Sequence, residues 1–438
     1  MSQPFRFVHA SDFHLERPLS IAADAPEQFV SLLVESRYRA AQRVFDLALT
    51  SRADFLILAG DIVRVDRAGP RALHFLHSQF TRLAEQGVTI YWAGGRSERQ
   101  SPWPDDLPLP PNVQQFPRGP AQQLVHYEDG QPLAQLVGTS TVNADGSLAL
   151  DAFAKPKAAA GDARRGRAGL FTIGVAHGLL ANDRVAGKTP LDYWALGGRH
   201  RRARAKVVRR GAEKPSNGAA LPPAQAIYSG APQGGSFAEQ GPHGAIIAQV
   251  DEQGHAHIQF APTDLARFRR ARLALDATLS TAEVEQRLEA RLETELARAP
   301  GHALLVHWII DLVGSTRAAW AGEHGQAELL AWLQRTFGSR TPAVWSIALE
   351  VEPSHISHIA PPEMAADGTL LADFLLAIDS FDSGGSEIPW KALLPESLHG
   401  TPAGAALARA VDGATRRKIL EQAATLGREL LGGEEAGQ

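Results

Sequence analysis

Asp12 and His14 stand two residues apart, just beyond a short apolar run, in the stretch FVHASDFHL. Side chains of an extended segment alternate faces, so residues two apart project to the same side. A carboxylate and an imidazole on one side of a strand end are two ready ligands for a divalent metal. Read alone, the pair fits a solvated strand end equally well. Three more such residues change the balance. Asp61 follows the run DFLILAG, His177 follows LFTIGVA, and His200 follows YWALGGR. Five metal-capable side chains just after apolar runs point to one metal site formed by Asp12, His14, Asp61, His177 and His200. Mixed oxygen and nitrogen donors suit manganese, iron or zinc better than magnesium or calcium.

The elements that must carry these residues are legible in the apolar pattern. Residues 5–9 read as a strand. Residues 37–49 read as a helix, with Ala40, Ala41, Val44, Phe45 and Ala48 at helical spacing. Residues 54–59 form a continuous apolar run, as in a strand buried on both faces. A helix over 71–85 and a strand over 88–92 follow, ending in Gly94-Gly95-Arg96. This alternation predicts an α/β layout with right-handed crossovers. In such sheets ligands gather at the carboxyl ends of strands.

Residues 101–117 read as a loop, with strands over 123–127 and 134–138. Residues 155–169, KPKAAAGDARRGRAG, read as a flexible insertion. Further strands are expected at 170–176, 193–196, 225–229, 244–250 and 256–260, the later ones completing a second, mostly antiparallel set. The composition shifts near Pro262. Beyond it the order is strand (270–275), helix (281–298), strand (303–312), helix (324–336) and strand (343–351). Ser280 and Glu283 have capping-box spacing ahead of the stripe Val284, Leu288, Leu292 and Leu296. Residues 353–368 read as a linker, 370–379 and 405–431 as helices, and the tail GGEEAGQ as a frayed end. The expected domains are 1–265, 266–352 and 353–438.

The chain has 438 residues, a formal net charge of −4, 44% hydrophobic residues and no cysteine. Disulfides, cysteine-zinc sites and cysteine nucleophiles are therefore excluded. No apolar run reaches the roughly 18 residues of a membrane span, and the N-terminus lacks the pattern of a signal peptide, so the expected location is cytoplasmic and no membrane contact is expected. The overall charge does not suit a general polyanion binder, so a nucleic-acid site would be a local basic patch. The run RHRRARAKVVRR, from Arg199 to Arg210, is such a patch. Arg199, Arg201, Arg202 and Arg204 are its candidate phosphate contacts, against the plainer reading of a solvated face. Trp92, Trp103 and Trp194 could stack on bases, but their apolar settings favour core positions.

The order Asp12-x-His14, Gly60-Asp61, Gly94-Gly95-Arg96, His177-Gly178 and Gly197-Gly198-Arg199-His200 resembles the calcineurin-like metallophosphoesterases. The nearest likeness is to the SbcD- and YhaO-type DNA repair exonucleases. HASDFHLERPL, DYWALGGRH and YSGAPQGGSF are the specific phrases, and the resemblance covers residues 1–265. It implies an α/β fold: a β-sandwich flanked by helices, followed by a small α/β capping domain and a helical C-terminal tail. It also implies two metals about 3.5–4 Å apart that activate water and stabilise developing charge on phosphorus, manganese being the expected metal. Asp12, His14, Asp61 and His200 would hold the first. Asp61 would bridge to the second, which His177 would also hold. DNA is the implied substrate and an SMC-like ABC ATPase, bound through the helical C-terminal region, the implied partner. A homodimer is a further expectation.

The chain departs from this pattern at the second metal. The family has Gly-Asn-His where this chain has Gly94-Gly95-Arg96, and Gly-His-x-His where it has Gly197-Gly198-Arg199-His200. An asparagine ligand is thus Gly95, a histidine ligand is Gly198, and the histidine that assists the leaving group is Arg96. Loss of supporting groups alone weakens metal binding by about 10–100-fold, and loss of an acid–base group costs a factor on the order of 10²–10⁴. Arg96 could instead place a guanidinium where the second cation would sit, because arginine binds phosphate bidentately. One metal is therefore expected more firmly than two. Three readings stand: a metal-dependent DNA exonuclease, weakened; a paralogue that binds DNA or an ATPase without cutting; and a phosphatase for a small phosphoester.

Overall fold

The computed structural model describes residues 3–19, 25–158, 169–187, 191–209, 224–313, 318–353 and 370–382, with 399, 401, 419, 420, 423, 424, 426 and 427. Two compact units are present. One comprises the described residues of Met1–Arg270, Glu295–Val306 and Gln334–Ile347, the other those of Ala271–Thr294, His307–Leu333 and Ala348–Gln438. In chain order the elements are β1 (Phe5–Ala10), α1 (Glu27–Thr50), β2 (Phe55–Ala59), α2 (Val65–Glu85), β3 (Thr89–Ala93), α3 (Arg96–Gln100), β4 (Val113–Gln115), β5 (Gln122–Glu128) and β6 (Gln131–Gly138). There follow β7 (Lys157–Ala158), β8 (Phe171–His177), β9 (Arg184–Gly187), β10 (Tyr193–Gly197), β11 (Ala203–Arg209), β12 (Gln225–Tyr228), β13 (Gly244–Val250) and β14 (Ala256–Pro262). The last are β15 (Ala266–Asp276), α4 (Thr281–Ala297), β16 (Ala303–Val313), α5 (Glu323–Phe337), β17 (Val344–Pro353) and α6 (Leu370–Asp382).

The first unit holds a six-stranded sheet, β14-β13-β1-β2-β3-β4, and an eight-stranded sheet, β7-β5-β6-β8-β10-β12-β11-β9. Strand β2 shows why they are placed as they are. All five of its residues are buried, and they alternate between two cores. Leu56 and Leu58 join Val44, Phe45 and Phe80 from α1 and α2. Phe55, Ile57 and Ala59 join Leu136, Ile173, Val175 and Tyr193 of the other sheet. One core is thus shared by the facing sheets and another lies under the helices. Trp92 is buried in the core under the helices, where Trp103 packs against it, and Trp194 is buried in a third core with Val137, Leu196 and Tyr228.

Three expectations are corrected. The helix expected over 37–49 starts ten residues earlier, at Glu27, because Phe29 and Leu33 pack on Ala266, Phe268, Leu305 and Trp345. The strands at 244–250 and 256–260 do not join a second antiparallel set. They extend the first sheet beside β1, and the centre of the second sheet, β6-β8-β10-β12, is parallel. Long crossovers separate these central strands, and both their faces are covered, as parallel strands require. The loop expected over 101–117 includes β4, which pairs with β3.

Strands β15, β16 and β17 form a third sheet. Helix α4 begins at the expected capping box: the Ser280 amide donates to Glu283 Oε2 at 2.9 Å. Val284, Leu288 and Leu292 are fully buried. In the C-terminal region Leu375, Ile378, Leu420 and Ala424 cluster together. Most of the expected insertion over 155–169, all but Pro353 of the linker over 353–368, most of the helix over 405–431 and the tail lie outside the described residues. Among the described residues no helix is long and apolar enough to cross a membrane.

Candidate metal centre

The five predicted ligands meet at one end of the facing sheets. The simple alternation argument for Asp12 and His14 does not explain this, because β1 has ended at Ala10. Asp12, His14 and Asp61 all adopt left-handed backbone conformations, with φ of 57°, 47° and 52°. That region is unfavourable for a residue with a Cβ, least so for aspartate. Backbone bonds hold it in place: the Asp12 amide donates to Gly60 O at 2.9 Å and the His14 amide to Asp61 O at 3.1 Å. The turns after β1 and β2 are thus laced together and aim their side chains at a common point. His177 closes β8, and the Gly178 amide donates to Gly197 O at 2.9 Å, tying β8 to the turn that carries His200.

Two groups of three potential ligands result, Asp12–His14–His200 and Asp12–Asp61–His177, each with its donor atoms within 4.8 Å of one another. Asp12 is common to both groups. Asp61 Oδ2 lies 3.7 Å from His14 Nε2 and 3.4 Å from His177 Nε2, between the two groups. His14 Nε2 and His200 Nε2 are 3.1 Å apart.

The surroundings fix which atoms face inward. His14 Nδ1 meets Glu16 Oε1 at 3.1 Å, His200 Nδ1 meets Glu239 Oε1 at 2.7 Å, and His177 Nδ1 meets Ala59 O at 2.8 Å. Each Nδ1–H donates to an oxygen, so each neutral ring presents its Nε2 lone pair to the others. Such support orients metal-binding histidines and raises their basicity. Asp12 accepts from Ser11 Oγ at 2.6 Å and from the Gly198 amide at 3.0 Å. Asp61 Oδ1 accepts from the Ser97 amide at 2.7 Å, leaving Oδ2 toward the histidines. Three convergent Nε2 atoms and two held carboxylates fit a divalent cation of borderline softness.

The electrostatics agree. Burial disfavours ionised Asp61, but the contact with His177 outweighs it and holds the carboxyl well below its usual range. Burial also opposes a charge on His177, yet Asp61 and Asp12 raise it to about 9. His200 is raised, chiefly by its hydrogen bond to Glu239. Glu239, against its own burial, is lowered to about 2.

The other predicted residues sit around this centre in different ways. Arg96 is exposed and lines the same cavity, of about 340 Å³, as all five ligands. Gly95 lies against Asp61, and Gly198 serves through its amide rather than through a side chain. Arg199 is engaged by Asp183 and stacks over Tyr228, its Cζ 5.1 Å from the ring centre. Arg201 is exposed, and Arg202 stacks over Phe260 at 4.7 Å. Arg204 lines a separate groove of about 1070 Å³ with Arg184, Lys206 and His257. Arg210 lies outside the described residues.

Sequence reasoning missed the supporting carboxylates. Glu16 has a signal, two residues after His14 in HASDFHLERPL. Glu98 stands three residues after Gly95 and accepts from the amides of Gly95, Asp61, Ile62 and Val63 at 2.7–3.2 Å. Glu239 has none, since 39 residues separate it from His200.

No family model matches the chain. A curated relative, the uncharacterized metallophosphoesterase YhaO of Bacillus subtilis (strain 168), is 25% identical over 369 residues, which cover 81% of this chain and 83% of the relative. That similarity and the ligand cluster together support a metal-dependent phosphoesterase.

Proposed function

We propose that this chain is a manganese-dependent phosphodiesterase that acts on DNA ends in repair, together with an SMC-like ATPase. The convergence of His14, His177 and His200 on Asp12 and Asp61 carries the metal-dependent part. A cation held there would activate water and polarise a phosphoryl oxygen. Glu16, Glu239 and the Ala59 carbonyl keep the three imidazoles turned inward. The exposed face of β11, with Arg204 and Lys206, begins a few residues after His200 and supports a phosphate-backbone substrate. The experiment is digestion of end-labelled duplex and single-stranded DNA with manganese, zinc or magnesium. Manganese-stimulated release of nucleotides, abolished by Asp61→Ala, is expected. Absence of cleavage with every metal overturns this reading.

One observation favours a second reading, a paralogue that binds DNA without cutting it. Gly95 is packed so closely on Asp61 that no further ligand fits there. Elemental analysis separates the two: two tightly bound metals per chain would exclude the non-cutting form.

A further inference from the structure

Arg17, Arg64 and Arg96 line the same cavity as the five candidate ligands. They differ in how far they are already committed. Arg17 Nε lies 3.3 Å from Glu16 Oε1, and its side chain is more than half exposed. Arg64 forms a two-pronged pair with Asp66, at 2.9 and 3.1 Å, and half of the Asp66 side chain is open to water. A pair as open as Arg64–Asp66 contributes at most about 1 kcal/mol, so Arg64 can exchange partners at little cost, whereas Arg17 holds a buried Glu16 and adds its charge from where it stands. Arg96 has no ion-pair partner among the described residues.

The backbone makes a place for Arg96. Gly146 adopts φ 82°, and a Cβ atom there would lie 1.7 Å from Arg96 Nη2. Its loop is tied beside the metal cluster, the Leu179 amide donating to Gly146 O at 3.0 Å, two residues after His177. The guanidinium therefore rests on a glycine at the cavity rim.

We propose that Arg96, with Arg64 and Arg17, forms a receptor for a phosphomonoester dianion beside the metal ligands. This rests on the reading of the cavity as a phosphoester site, and it names the group that the site prefers. A phosphodiester carries one charge, whereas a terminal phosphate carries about −1.5 to −2 near neutral pH and three acceptor oxygens. Glu16 and Asp66 offset Arg17 and Arg64, and a cation would balance Asp12 and Asp61, so the positive charge offered to a ligand is concentrated at Arg96, which only the water-exposed Asp145 approaches. Arginine forks match phosphate oxygens bidentately. The ligand is thus the terminal phosphate of a nucleic-acid strand or that of a free nucleotide.

The test is equilibrium binding to the full chain in manganese, with internally labelled oligonucleotides carrying phosphoryl or hydroxyl groups at the 5′ or 3′ end. Gel analysis checks that the ligands stay intact, and AMP and adenosine serve as competitors. A phosphoryl end is expected to bind at least about tenfold more tightly than its hydroxyl counterpart, as for one charged hydrogen bond. Arg96→Gln should abolish that advantage, so that phosphoryl and hydroxyl ends bind the variant alike. Competition by AMP but not adenosine would extend the receptor to free nucleotides, and competition by neither would restrict it to strand ends. Equal binding of both ends, or an advantage that survives Arg96→Gln, overturns the proposal. Cleavage of DNA without any end preference removes this inference alone. A retained preference without cleavage removes the phosphodiesterase reading and leaves the receptor standing.

Discussion

A Cβ atom at Gly95 would lie 2.4 Å from Asp61 Oδ1 and 2.6 Å from the Asp61 backbone nitrogen. The turn after β3 is thus pressed directly onto the turn after β2. The glycine that the sequence resemblance sets against an asparagine ligand is more than a missing donor. The space that an asparagine side chain would need is filled by the residue it would help.

This gives the first prediction. Gly95→Asn, which restores the family pattern in sequence, is expected to lose metal rather than gain it. The contact on the Asp61 backbone cannot be relieved by rotating a side chain, and overpacking of this kind costs about 1–3 kcal/mol. Urea denaturation of the metal-free chain and metal content after dialysis are the measurements. A rise in metal per chain would show that the two turns can separate.

Glu98 is the clamp between the same two turns. Its carboxylate accepts four backbone amides, three of them from Asp61, Ile62 and Val63. Burial, and then the nearby Asp61 charge, push its carboxyl up from the usual range against the pull of those amides. Glu98→Ala leaves the amides without an acceptor, and each unmet buried donor costs about 1–3 kcal/mol. A loss of about 3 kcal/mol or more is expected in chemical denaturation, with loss of metal affinity because Asp61 is no longer held. Glu98→Gln, which keeps one acceptor oxygen, should fall between.

The His200–Glu239 pair sets a pH window for the metal-free chain. The folded pKa of His200 is raised above 6.5, so its contribution is complete below pH 6.5 and is lost as pH rises through the raised value. The folded pKa of Glu239 is lowered from 4.5 to about 2, so its contribution is complete above pH 4.5 and is lost as pH falls toward 2. Both hold between pH 4.5 and 6.5, where thermal stability of the metal-free chain should be greatest. Metal requires neutral imidazoles, and His177 keeps its proton up to about 9. Stabilisation by added metal should therefore grow from pH 6.5 toward 9. Melting curves with and without metal check both trends. A metal effect that is flat across this range would show that no histidine proton is displaced.

The strands that lead to Asp61 and His200, and the one that ends at His177, were legible because an unbroken apolar run followed by a turn is what a twice-covered strand must be. The five candidate ligands were legible for the same reason. The parallel centre of the second sheet was not, because strand direction depends on long crossovers that leave no local periodicity. Nor was the mode of convergence of Asp12 and His14. They meet through left-handed turns laced by amide bonds, which residue types alone do not specify. Glu239 was hidden because its partner His200 is far away in the chain, and Gly95 read only as a vacant ligand position until Asp61 was placed against it.

Glu239 offers the most direct probe of the cluster itself. One of its oxygens accepts from His200 Nδ1 at 2.7 Å and the other from the Gly235 amide at 2.7 Å. In Glu239→Gln only one oxygen remains. If it serves His200, the amide group meets the Gly235 N–H and two donors oppose each other. If it serves Gly235, His200 loses its acceptor and can turn. Either arrangement lowers the basicity or the fixed orientation of a metal-facing imidazole, and losses of this kind weaken metal binding by about 10–100-fold. Titration of the metal-free chain against a competing chelator should show that loss, with far-ultraviolet circular dichroism unchanged. Glu16→Gln should act similarly through His14. Metal affinity unaffected by both substitutions would mean that the histidines are held by the cation alone.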